Sequence, residues 1–154
     1  MAKKYSFRLQ TVLRLRKTTE DECRRRVADR LRTIAQVESD VRHLGEQHDW
    51  EVERSRAEQL GPGMDVLTVR RRRGYMGHLR RRKHACEAHI RSLREKLDQE
   101  QRALAQASKE VKALEKLRDR QWERHRAGQL RAERAEEDEI GQQMFMRRRL
   151  TSTG

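Results

Sequence analysis

Residues 76–114 read MGHLRRRKHACEAHIRSLREKLDQEQRALAQASKEVKAL, and their spacing decides the fold. Met76, Leu79, Lys83, Cys86, Ile90, Leu93, Leu97, Glu100, Leu104, Ala107, Val111 and Leu114 recur at alternating steps of three and four, and ten of the twelve are apolar. On a helix these positions form one narrow stripe. That is the seam of a coiled coil, too thin to be the face of a globular core.

Upstream of this stretch stands the chain's single proline, Pro62, between Gly61 and Gly63. It separates two long segments that otherwise contain nothing to stop a helix. The expected fold is therefore all-α, an antiparallel two-helix coiled-coil hairpin forming one domain over 1–154. Helix 1 is expected at about 6–60, the turn at 61–64, and a longer helix 2 at about 65–149, opened by Asp65 as its N-cap. Composition agrees. With 41% charged residues, 4% aromatic residues and a mean hydropathy of -1.19, the chain can bury a thin stripe and little more. The same numbers suit an unfolded chain, but the sustained heptads and the excess of Arg, Glu, Gln, Ala and Leu over Pro, Gly and Ser favour helix.

The seam of helix 1 is less regular. Val27, Leu31, Ile34 and Val41 keep a heptad, but Glu38, Gly45 and His48 fall on the same face, and Val37 and Leu44 stand one position away. The stripe is expected to wander, with a changing supercoil or a locally loose pair. Folding about Pro62 sets Val27 against Leu97, Ile34 against Ile90, Leu13 against Val111, and Phe7 near Arg118. Everything after about Arg120 then has no partner on helix 1. This overhang holds Trp122, the acids Glu133, Glu136, Glu137, Asp138 and Glu139, and Met144, Phe145 and Met146. Such side chains imply an external partner.

No apolar run approaches the ~20 residues that span a bilayer. Phe7, Leu9, Val12, Leu13 and Leu15 alternate with Arg8, Arg14 and Arg16, so a secretory apolar region is missing, and the amphipathic pattern continues into the helix body. The expected location is cytoplasmic. Cys23 and Cys86 fall about 24 Å apart along the hairpin, too far for a disulfide. Cys86, His89 and His43 could share one side, but the chain lacks CxxC and HxxxH spacings, so no metal is expected. No glycine-rich phosphate loop is present, and the carboxylates lie on helix faces where ion pairing explains them. Neither an enzyme activity nor a cofactor is expected.

The charge is uneven. No acidic residue lies between Asp65 and Glu87, while Arg70, Arg71, Arg72, Arg73, Arg80, Arg81, Arg82 and Lys83 give that stretch +8 of the chain's +13. Nucleic acid is one ligand for such a patch. With one aromatic, Tyr75, and no second basic arm to form a groove, a docking surface for an acidic protein or anionic membrane headgroups is favoured.

The opening FRLQTVLRLRK of Phe7 to Lys17, followed by Glu20, Asp21 and Glu22, resembles the start of the flagellar export protein family FliJ. Leu114-Glu115-Lys116-Leu117, then Glu137-Asp138-Glu139 and Phe145-Met146-Arg147-Arg148, is similar to that family's C-terminal helix. The resemblance covers nearly the whole chain. It implies an antiparallel two-helix coiled coil, similar to the central stalk of rotary ATPases, in the flagellar type III export apparatus. It further implies that the paired termini, here Phe7, Leu9, Trp122, Glu137, Asp138, Glu139 and Phe145, approach the export ATPase ring and its regulator. The other end would reach the export gate, and empty export chaperones would be recycled. In the family, an aromatic followed at four, seven and eleven by Leu, a small residue and a His docks on the cytoplasmic domain of the gate. The matching positions are Tyr75, Leu79, Arg82 and Cys86; the first two keep the chemistry and the last two depart from it. Seam membership is the competing reading for Leu79 and Cys86. The resemblance thus implies a monomer working at the cytoplasmic face of the cell membrane, peripheral and without a spanning helix. A virulence type III injectisome stalk and a basic coiled-coil nucleic-acid or ribosome binder are the alternatives.

Overall fold

The computed structural model describes residues 5–59, 63 and 65–151, with the side chains of 59 and 149–151 left aside. Two helices are present, α1 at Gln10–Gln59 and the longer α2 at Val66–Thr151. They form an antiparallel coiled-coil hairpin, as cross-helix pairs such as Arg16 with Glu110 and Arg30 with Glu100 require. The predicted turn over 61–64 lies outside the described residues except for Gly63. Its φ of 102° is a left-handed conformation that L side chains rarely adopt.

Both helix starts have local causes. Asp65 caps α2: its Oδ1 accepts from the Leu67 amide at 3.1 Å, Thr68 Oγ1 donates to Oδ2 at 3.4 Å, and its carbonyl accepts from the Val69 amide at 3.2 Å. Helix α1 starts later than the expected position near Ser6. The Phe7 carbonyl accepts from the Gln10 amide at 3.1 Å, a tight turn that takes residues 5–9 off the helical path.

The chain divides into two compact units, each holding a piece of both helices: residues 1–18 with 107–154, and residues 19–106. In the first, Phe7, Leu13 and Val111 are buried together, and Tyr5, Leu9 and Leu114 pack against them. The expected meeting of Leu13 with Val111 is therefore observed. Arg16 pairs with Glu110 at 2.8 Å and Lys17 with Glu115 at 2.7 Å beside this seam.

In the second unit Ile34, Leu44, Leu79, Ile90 and Leu93 are buried. All twelve α2 seam positions read from the sequence are buried or half-buried. The α1 stripe differs from its expected course. Its covered positions run Val27, Arg30, Ile34, Val37, Val41, Leu44 and His48, a regular alternation of three and four, and Leu31 is 48% exposed. The stripe does not wander. Hydropathy favoured Leu31 over Arg30, but Arg30 is the residue with a partner. Its Nε and Nη2 donate to the two carboxylate oxygens of Glu100 at 3.2 and 2.8 Å, a bidentate pair joining the polar seam positions of both helices. Gly45 and His48 also meet side chains of α2. Lys83 Nζ lies 3.9 Å from where a Cβ on Gly45 would stand, an ordinary contact, so the seam lysine packs over Gly45 without requiring a glycine there. His48 Nε2 accepts from Arg80 Nε at 3.2 Å.

Hydrogen bonding by Arg30 holds the Glu100 carboxyl below the ordinary carboxylate range, with burial opposing. Arg72, and after it Arg54, does the same for Glu58. A carboxyl whose pKa is lower in the folded state contributes stability above its unfolded value, about 4.3, and loses it as pH falls through the folded value. Thermal midpoints measured against pH are therefore expected to be level through neutrality and to drop below about pH 4.3. Replacing Glu58 and Glu100 with Gln should flatten that acid limb; an unchanged slope would show that these pairs do not couple to folding.

Candidate functional site

Each unit holds one of the two sets of partner-binding candidates. Tyr75, Leu79, Arg82 and Cys86 fall in 19–106, whereas Phe7, Leu9, Trp122, Glu137, Asp138, Glu139 and Phe145 fall in the other unit.

The first set does not form one exposed stripe. Tyr75 is 46% exposed and Arg82 is exposed, but Leu79 is 2% exposed and Cys86 is half-buried. Residues 79 and 86 are seven apart and face α1, while Tyr75 and Arg82, likewise seven apart, are rotated off the seam. What Tyr75 does share is a groove of 440 Å³ with His43, Glu46, Gln47, Trp50 and Glu51 of α1. Trp50 is 58% exposed, and the Arg54 guanidinium lies 5.1 Å from its ring centroid. Sequence reading passed over Trp50 because it lies on no seam; its signal was an isolated aromatic at the register of Tyr75.

The basic run is partly neutralised by α1. Arg72 is half-buried and pairs with Glu58 and, at 3.5 Å, with Glu51. Arg80 is held by His48. Among the described residues, no group of three His, Cys, Asp or Glu is placed to hold a metal ion, and both cysteines are free and half-buried.

In the other unit the expected partnerless overhang begins too early. Trp122 has a partner: the Tyr5 ring meets it edge-on, with centroids 5.2 Å apart and planes at 69°, and meets the His125 ring at 5.5 Å. Tyr5 Oη also donates to the Arg118 carbonyl at 3.1 Å. The physical reason is the non-helical start. An extended chain advances about 3.3 Å per residue against 1.5 Å in a helix, so residues 5–7 reach further along α2 than a helical start could. Phe7 is buried and Leu9 half-buried in this core. Every side chain from Leu130 to Arg148 is exposed, including Glu137, Asp138, Glu139 and Phe145, with Leu130, Ile140, Met144 and Met146 among the large apolar ones.

These features define the class: a two-helix coiled-coil hairpin whose candidate sites are exposed surfaces. No helix among the described residues is long and apolar enough to cross a membrane. Residues 5–150 match the family model described as Flagellar FliJ protein. The chain is also 24% identical over 144 residues to the Flagellar FliJ protein of Bacillus subtilis (strain 168), covering 92% of this chain and 96% of that one. No solved structure matches it significantly. The chain belongs to the flagellar FliJ protein family.

The two positions Tyr75 and Leu79 are separable by experiment. Leu79→Ala should lower stability by about 2–5 kcal/mol, as loss of a buried leucine does, while Tyr75→Ala should stay within about 0.5 kcal/mol. Equal losses in denaturant titrations would mean that Tyr75 also belongs to the seam.

Proposed function

We propose that this protein is a component of the flagellar type III export apparatus, acting by binding rather than catalysis. In this reading it is a stalk that connects the export ATPase ring and its regulator with the cytoplasmic domain of the export gate and recycles export chaperones. It works in the cytoplasm, peripherally at the membrane's inner face, and supports flagellum assembly and motility. The observation that carries the proposal is the family match over 5–150, spanning both helices of the hairpin. A match to flagellar proteins favours this apparatus over a virulence injectisome and over a ribosome-binding role.

Physical chemistry supports a division of labour. On α2, residues 130–148 expose apolar and acidic side chains together, a surface suited to docking on protein subunits. In the other unit Tyr75 and Arg82, joined by Trp50 across the groove, are the side chains available to a gate-like partner; Leu79 supports them from the seam. Phe7 and Leu9, with Tyr5 on Trp122, fasten the segment before α1 to α2, so their contribution to ring binding is to position the part of α2 that follows.

Truncation after Gly128 tests the reading. It spares the Tyr5, Trp122 and His125 contacts, so circular dichroism and thermal melting should match those of the full chain. Stimulation of ATP hydrolysis by the export ATPase should be lost. Equal stimulation by both forms would show that the exposed segment is dispensable and would remove the stalk assignment.

A further inference from the structure

Five arginines near the start of α2 face no carboxylate. Arg70, Arg71, Arg73, Arg81 and Arg82 are exposed and enter none of the ion pairs among the described residues, whereas Arg72 is taken up by Glu51 and Glu58. The one acid nearby on α2, Asp65, is engaged in capping the helix. Elsewhere the fold supplies partners at helical spacing, as for Arg24 with Glu20 and Asp21 or Arg32 with Asp29.

The same region exposes apolar side chains. Val66 is 78% and Leu67 60% exposed. At 100° per residue, Leu67, Arg70, Arg71, His78 and Arg81 share an arc of about 100°, with Val66 and Arg73 on one flank and Tyr75 and Arg82 on the other. The seam positions Val69, Arg72, Met76 and Leu79 lie on the opposite side of the helix. The arc therefore points away from α1, and it is convex.

We propose that this face docks on an anionic phospholipid bilayer, the guanidinium groups meeting lipid phosphates while Leu67 enters the headgroup layer and Val66 lies at the edge of the contact. Clusters of four to eight basic residues on a helix bind anionic leaflets. A flat bilayer accepts a convex arc as a whole, and it gives the exposed apolar pair an environment that a solvated acidic peptide lacks. A nucleic-acid groove would wrap the hairpin and bring the exposed carboxylates of Glu46, Asp49 and Glu53 on α1 within a Debye length of phosphate, about 8–10 Å. The inference rests on the proposed function only for which membrane is met.

The test is flotation of the full chain at physiological salt with vesicles of phosphatidylcholine alone or with about one third phosphatidylglycerol. Binding is expected to the anionic vesicles only. Gln at Arg70, Arg71, Arg73, Arg81 and Arg82 should weaken it by at least about tenfold, whereas Gln at the exposed Arg14, Arg25, Arg42, Arg91 and Arg124 should change it by less than about threefold. Circular dichroism confirms that both variants keep their helix. With Trp50→Phe and Trp122→Phe removing both tryptophans, a Leu67→Trp variant should shift its emission to the blue on anionic vesicles, and Leu67→Ser should weaken flotation of the otherwise unchanged chain. Equal weakening by the two charge variants, binding to neutral vesicles, or an unmoved emission of the Leu67→Trp variant would overturn the proposal. So would release from the vesicles by polyglutamate or short duplex DNA of equal charge. Because no export component is present, failure here leaves the ATPase result standing, and loss of ATPase stimulation says nothing against vesicle binding.

Discussion

The bidentate pair between Arg30 and Glu100 is the constraint on which the alignment of the two helices depends. An apolar seam is permissive, since Leu, Ile and Val layers accept one another in several registers. A charged pair at seam positions is not. Shifting either helix by one heptad would leave both the guanidinium and the carboxylate on the seam without a partner, which disfavours that register. The pair is a poor source of net stability, because desolvation offsets much of its attraction. Its role in this fold is to select one alignment.

Once that alignment is fixed, the remaining contacts have determined places. Cross-helix pairs of Glu38 with Arg94, Arg16 with Glu110 and Lys17 with Glu115 flank the seam on exposed faces, where each contributes little alone but disfavours misalignment. Near the start of α1, Leu13 meets Val111 and Phe7 closes the apolar core. The turn formed by residues 7–10 then carries Tyr5 to Trp122 and His125. A small aromatic cluster thereby ends the paired region, and the exposed segment of α2 begins beyond it.

The distribution of charge follows from the same geometry. Carboxylates on α1 neutralise the basic run of α2 only where they lie across the seam, which is why Arg72 is satisfied and its neighbours Arg71 and Arg73 are not. A helix rotates adjacent residues by 100°, so a run of four arginines cannot all address one partner helix. The excess cations consequently point outward, beside exposed Val66, Leu67 and Tyr75. The hairpin thus carries two chemically different surfaces, an exposed segment of α2 with acidic and apolar side chains and a basic face near the start of that helix.

The sequence by itself determined the class of fold and the α2 seam. Period and composition are local properties, and every one of the twelve positions chosen by spacing is covered in the structure. Asp65 as the cap was equally legible, because capping involves only the next few residues. Opposite Glu100, spacing alone did not choose correctly, since Leu31 outscores Arg30 on hydropathy and only the partner helix reveals which of them is needed. Trp122 was misplaced and Trp50 passed over for a related reason: Tyr5 reaches the first through a non-helical segment, and the second acquires its groove from Tyr75 on the other helix. The separation of Leu79 from Tyr75 into support and surface was likewise a tertiary decision, because both lie on the same helix one turn apart and only the direction of α1 distinguishes the buried side from the open one.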